Sequence, residues 1–389
     1  MPDPVDGSTP ARGRAGFGRR ARTFLAREAL PAGAIVLAAA SMALVPPDAA
    51  YLSYFDFRVL ALLFCLMAVV AGSARAGLFD ALSAALLDRS ASRRRVEALL
   101  VGACYLASML VTNDVALLAF VPLTLGVLQF ASPARLAFVV SLEAVAANLG
   151  SMLTPVGNPQ NLYLYTYYGM DLGPFLAALA PYSALALGLL GLAVLAGRDA
   201  FLEVDARPRP ALAHRGRLLL HAVLFAVCLL AVLRLVPVRA CFAAVLAGLL
   251  AFDRRALLGV DYGLLATFAA FFVFVGNLAR VPAVEAAARS LVQGRELLAG
   301  AAASQLISNV PAAILLSGFT RNARGLLLGV DLGGLGTLVA SLASLIAFRL
   351  YARRPGARPL LFLGIFTAVN LAFLGALLGL AALLGDLVL

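Results

Sequence analysis

The 389-residue chain is 62% hydrophobic and only 13% charged, with a formal net charge of +11. A soluble domain needs about 25% charged residues to cover its surface, so a water-soluble enzyme is excluded and lipid must cover most of the chain. The chain has no lysine, and clusters of arginine at residues 12–27, 89–95 and 207–217 stand beside long apolar runs. That is how cytoplasmic loops facing anionic headgroups look, so membrane lipid is the expected partner and nucleic acid is not.

Residues 1–28, rich in Pro, Gly and Arg, read as a cytoplasmic N-terminal tail. A bilayer crossing takes about 20 apolar residues, and runs of that kind lie near 29–47, 57–77, 134–167 and 173–197. The Arg/Pro-rich stretch 198–216 interrupts them as a cytoplasmic linker, and further spans follow near 217–235, 237–252, 261–279, 326–352 and 359–387. That gives a multi-pass protein of the cell membrane, here a prokaryotic plasma membrane. Cys65, Cys104, Cys228 and Cys241 all fall inside apolar segments without motif spacing and read as small core residues. His214 and His221 read as structural.

Two apolar segments carry polar residues at their centres: 97–130 around Thr112-Asn113-Asp114, and 296–320 around Ser308-Asn309. The apolar arm before each tip, about 14 residues or roughly 21 Å of helix, is too short to cross. Each segment therefore reads as a re-entrant hairpin that enters to mid-membrane and leaves on the same side. Helix ends meeting there free backbone groups that survive only in a protein-enclosed cavity. Asp114 adds a formal charge where charge is expensive; it either caps the turn or serves an ion.

Span 134–167 holds Asn148, Ser151, Thr154, Pro155, Gly157, Asn158, Pro159, Gln160 and Asn161 in one short stretch. The prolines remove helix donors and Gly157 permits unusual dihedrals, so the helix must unwind. Ser151, Thr154, Asn158, Asn161 and the freed carbonyls make oxygen ligands suited to Na⁺, the candidate coupling ion. The half-helix that restarts near Gln160 offers its N-terminus to an anion. Its counterpart in the second half is the run from Asp331 to Ser341, where Gly336, Thr337 and Ser341 form the expected second break. Glu143 lies just before the first break and is either a proton carrier or a structural partner of an arginine.

Order along the chain repeats: an Asp-initiated span, an amphipathic stretch (78–90 and 282–292), a hairpin, then a broken span. Counting crossings from a cytoplasmic N-terminus places the two hairpins on opposite faces. The fold class expected is an all-α polytopic membrane protein with inverted repeats, 29–197 and 217–389, each with a re-entrant hairpin and a discontinuous helix. That is the architecture of secondary transporters.

The residues Gly157-Asn158-Pro159-Gln160-Asn161 after a Thr112-Asn113 hairpin, then Ser308-Asn309 and a Gly/Thr/Ser-broken helix, resemble the ion transporter superfamily. It includes divalent anion:sodium symporters, citrate transporters, arsenite permeases and NhaD-type antiporters. The resemblance covers nearly everything after residue 29 and is most specific at 148–161. It implies Na⁺ and carboxylate binding by Asn113, Gly157 and Asn158 at one site and by Asn309 and Gly336 at the other. A homodimer is implied on the same ground. Thr112-Asn113-Asp114 and Ser308-Asn309-Val310 depart from the two Ser-Asn-Thr tips of the symporters; fewer hydroxyls and an added carboxylate disfavour a dicarboxylate. The function expected is secondary active transport of a small anion (citrate, sulfate or arsenite-like) coupled to Na⁺ or H⁺. A Na⁺/H⁺ antiporter is the alternative, and no cofactor beyond Na⁺ is implied.

Overall fold

A computed structural model describes residues 31–79, 81, 92–197 and 215–387. The expected tail 1–28, most of the amphipathic stretch 78–90 and residues 198–214 of the linker lie outside them. The chain is an all-α polytopic membrane protein: no strand occurs among the described residues, and six helices there are long and apolar enough to cross a bilayer.

In chain order, α1 (Pro31–Ser41) and the short α2 (Tyr51–Tyr54) lead into α3 (Phe57–Arg75). The first helical pair is α4 (Arg93–Ser108) and α5 (Asn113–Val127), followed by α6 (Pro133–Ser151), α7 (Pro159–Tyr167) and α8 (Leu172–Leu195). The second half has α9 (Arg215–Val232), α10 (Val238–Phe252), α11 (Tyr262–Ala279) and α12 (Pro282–Val292). Its helical pair is α13 (Glu296–Ile307) and α14 (Asn309–Ser317), then α15 (Ala323–Leu332), α16 (Leu342–Ala352) and the long α17 (Pro359–Leu384).

The starts of these helices are written in the chain. Asp56 and Asp261 cap α3 and α11 by accepting backbone N–H bonds, and Ser132 followed by Pro133 does the same for α6. The spans expected at 134–167 and 326–352 are each two helices separated by non-helical backbone. Pro159 cannot donate to a preceding turn and so restarts the helix as α7.

Burial sorts the helices. The α6 window is 83% buried inside the protein, whereas α9 and α17 are 28% buried. So α6 is the central element and α9 and α17 face lipid. Large apolar side chains such as Phe130, Leu360 and Leu383 lie exposed, while the interior holds Asn113, Asn148, Asn158, Gln160, Asn161 and Asp331. That reversal of the soluble pattern is what lipid solvent dictates.

Glycine sets the closest approach. A Cβ at Gly329 of α15 would stand 2.9 Å from the backbone oxygen of Glu296 on α13, so these helices touch through backbone, as tightly packed membrane helices do. A separate group, α3, α9 and α10, packs together. Here Cys228 Sγ and Cys241 Sγ lie 3.9 Å apart beside Cys65, a meeting of three elements that linear spacing did not show. All four cysteines are free and buried. His221 meets Asp253 at 3.1 Å in the same group. Asn277 binds Ser41 and Tyr51 across helices, whereas Asn370 bonds within its own helix, to Phe366.

Candidate transport site

The two helical pairs and the two broken helices meet through the same pattern of bonds. In the first half the Asn113 N–H donates to Gly157 O at 3.2 Å, tying the tip between α4 and α5 to the break between α6 and α7. In the second half the Asn309 N–H donates to Ala340 O at 2.9 Å, tying the tip between α13 and α14 to the break between α15 and α16. Thr154 Oγ1 donates to Met109 O at 2.5 Å, and Thr337 Oγ1 donates to Gln305 O at 3.3 Å. Each Thr thus pins its break to the residue four before the tip asparagine.

The half-helices begin alike. Asn158 Oδ1 accepts from the Asn161 N–H at 3.0 Å, and Ser341 Oγ accepts from the Ser344 N–H at 3.1 Å. These are N-caps, short polar side chains satisfying the first orphan donors of α7 and α16. The second tip and break also carry unusual backbone: Ser308 has φ +73° at the tip and Gly336 φ +111° in the break. Positive φ at a non-glycine residue is strain of the kind that persists only where the surroundings over-determine it.

Near the end of the helix before each break sits a buried polar residue that reaches across to the other half. Asn148 Nδ2 donates to Ser341 Oγ at 3.0 Å and to Gly334 O at 3.3 Å, while Asn148 Oδ1 accepts from Asn113 Nδ2 at 3.1 Å. Asp331 does the reverse. Its Oδ1 accepts from Gln160 Nε2 at 3.3 Å, and the side chains of Asn158 and Asn161 also lie against it. The amide of one half and the carboxylate of the other are therefore crossed over the capped N-termini of α16 and α7.

The expected residues divide around this crossing. Asn113, Ser151, Gly157, Asn158, Asn161, Asn309 and Ser341 are buried in or against it, with Ser151 Oγ bridging Asn158 Nδ2 and Asn148 O. Ser308 is buried at the second tip and touches Ala340 O. Thr112 and Asp114 are half-buried at the first tip, and Asp114 Oδ1 has no partner in the protein. Thr337 is exposed and is held by Gln305, away from the crossing. Glu143 faces Thr124 of α5, which donates to it at 2.5 Å, and no arginine pairs with it among the described residues. Asn148, Gln160 and Asp331 were named in the polar runs of the two breaks but given no ligand role, and Gln305 and Ser344 were not named at all. Setting the two caps, Asn158 and Ser341, in register would have paired Asn148 with Asp331, because each stands ten residues earlier.

Comparison with known proteins decides the family. Residues 23–323 match the citrate transporter family. The chain belongs to that family. The inner membrane protein YbiR of Escherichia coli is 32% identical over 301 residues, covering 76% of this chain and 80% of that protein. An uncharacterized transporter of Methanocaldococcus jannaschii is 31% identical over 297 residues, covering 76% and 81%. A silicon efflux transporter of Oryza sativa subsp. japonica is 35% identical over 148 residues, covering 37% and 30%. This citrate transporter family protein is thus a multi-pass membrane transporter of the cell membrane and not an enzyme. The family match takes in both tips and the first break but ends at the start of α15, before Asp331 and Ser341.

Proposed function

We propose that the protein is a secondary active transporter of a small oxygen-rich anion, or its weak acid, driven by a cation gradient. The observation that carries this is the crossing: two tip-and-break units with the same bonding pattern converge on one buried polar cluster. Irregular backbone deep in a membrane protein is tolerated where it lines such a site, and paired discontinuous helices are how secondary transporters hold cargo and coupling ion. In this reading the two halves are inverted repeats whose tips enter from opposite faces. The pairs and broken helices carry the cargo, and the group α3, α9, α10 and α11 is the scaffold they move against.

The cargo is small and weakly charged. No arginine or histidine stands among the described residues of the crossing, and Asp331 already places a carboxylate there. Side-chain amides, hydroxyls and freed backbone groups remain to hold it. They suit an oxyanion or oxyacid better than a tricarboxylate, which would need cationic partners. The name of the rice relative, a silicon efflux transporter, supports the small-oxyacid end of this class. The rival is a Na⁺/H⁺ antiporter, favoured by the partnerless oxygen of Asp114.

Flux into proteoliposomes separates the two. Uptake of a small labelled oxyanion such as arsenite or sulfate that needs an imposed Na⁺ or H⁺ gradient supports the proposal. Sodium efflux driven by a pH gradient with no anion present supports the rival. Asn158→Ala removes the α7 cap and a candidate ligand, and is expected to abolish gradient-driven uptake while the protein stays folded. Uptake at the wild-type rate would remove the crossing from the transport site.

A further inference from the structure

We infer that Asp331, Gln160 and Asn161 form a Na⁺ site of their own at the crossing, apart from the tip positions Asn113 and Asn309. The inference deepens the transporter reading, on which it rests for the ion's coupling role. Three oxygens carry it: Asp331 Oδ2, Gln160 Oε1 and Asn161 Oδ1 are all buried and have no hydrogen-bond partner within the protein. They belong to neighbouring side chains. Gln160 Nε2 donates to the other Asp331 oxygen at 3.3 Å, and Asn161 lies against the same carboxylate.

The nearby donors are already used. Asn161 Nδ2 donates to Met152 O at 2.8 Å, and the Asn161 N–H is taken by Asn158 Oδ1. Turning the Gln160 amide over would set its oxygen against the Asp331 carboxylate. Asn158 Nδ2, which also lies against the carboxylate, donates to Ser151 Oγ at 3.1 Å. Buried acceptors thus outnumber the donors that reach them, and buried acceptors need a partner. No arginine or histidine pairs with Asp331 among the described residues, whose ion pairs lie elsewhere. A cation supplies what is missing to all three oxygens at once.

Charge and hardness select the ion. One carboxylate with two neutral amide oxygens carries a single negative charge, which a monovalent cation neutralises. Calcium asks for 6–8 oxygen ligands, usually with several carboxylates, and would leave a buried positive charge. Thiols and imidazoles, which soft metals prefer, are not part of this group. Na⁺ fits.

Equilibrium binding of radiolabelled Na⁺ alone to the purified full chain in lipid nanodiscs tests the site without any cargo. The wild type is expected to bind Na⁺ saturably, and the isosteric Asp331→Asn to bind one ion fewer per chain. Gln160→Glu places a second carboxylate on the site, so Ca²⁺ should displace Na⁺ at concentrations at least tenfold lower than in the wild type. Melting in choline chloride identifies folded variants; should Asp331→Asn fail to fold, the Gln160→Glu competition decides. Wild-type stoichiometry in Asp331→Asn, unchanged Ca²⁺ competition in Gln160→Glu, or no Na⁺ binding by the wild type each overturns the site and leaves water, or a proton carried by Asp331, as the partner of these oxygens. Absent flux with Na⁺ binding intact would sink the transporter reading alone.

Discussion

The bond from Asn148 to Ser341 is the most direct test that the two halves are joined at the crossing. Asn148 is 4% exposed and Ser341 1%, and their side chains meet at 3.0 Å. Asn148→Ala removes this bond and the one to Gly334 O, and leaves Asn113 Nδ2 without its acceptor. Stranding one buried group and losing two bonds should cost about 2–3 kcal/mol. The pairwise part is smaller. Interhelical hydrogen bonds in membrane proteins average about 0.6 kcal/mol and reach about 1.7, and a dry, well-placed pair belongs near the top of that range. The cycle Asn148→Ala, Ser341→Ala and the double variant, unfolded with SDS in mixed micelles, should give a coupling of about 1.5 kcal/mol, close to tenfold in the folding equilibrium. Additivity within about 0.3 kcal/mol would refute the reasoning, because residues nearly 200 positions apart couple only if they touch.

Two further perturbations probe what holds the second half. Gly329→Ala puts a Cβ 2.5 Å from Leu297 O and 2.9 Å from Glu296 O; backbone cannot yield as a side chain can, so α13 and α15 must part, costing about 1–3 kcal/mol. A melting temperature equal to the wild type would show that these helices are not in backbone contact. Arg324→Ala leaves the Asp386 carboxylate, 2% exposed, with only the Tyr182 hydroxyl at 2.7 Å. Because 46% of the Arg324 side chain is exposed, the loss should be about 1–2 kcal/mol and not the 3–5 of a fully buried pair. Adding Asp386→Asn should recover part of it, and a double variant less stable than Arg324→Ala would rule out a stranded charge as the cause.

The sequence made the all-helical membrane fold and the breaks legible because both leave local signatures. Pro155, Gly157 and Pro159 forbid a continuous helix wherever they stand, and an apolar run too short to cross marks a tip. The crossing left no local signature. Asn148 was visible as one more polar residue before a break, and Asp331 as the start of a glycine-rich one; their importance comes from Ser341 and Gln160, each more than 170 residues away. Thr337 was grouped with the second break by spacing alone, but spacing could not say that its partner is Gln305 at the arm of the facing pair. The cysteines teach the same lesson, since Cys65, Cys228 and Cys241 share no motif and still meet.

Those thiols have a practical bearing. With Cys65, Cys104, Cys228 and Cys241 all withdrawn from the surface, membrane-impermeant maleimides should find little to react with in the unaltered chain. Single reporter thiols at Leu110 and Leu306, exposed positions each three residues before a tip asparagine, can then be read for sidedness in intact cells, without first engineering a thiol-free background.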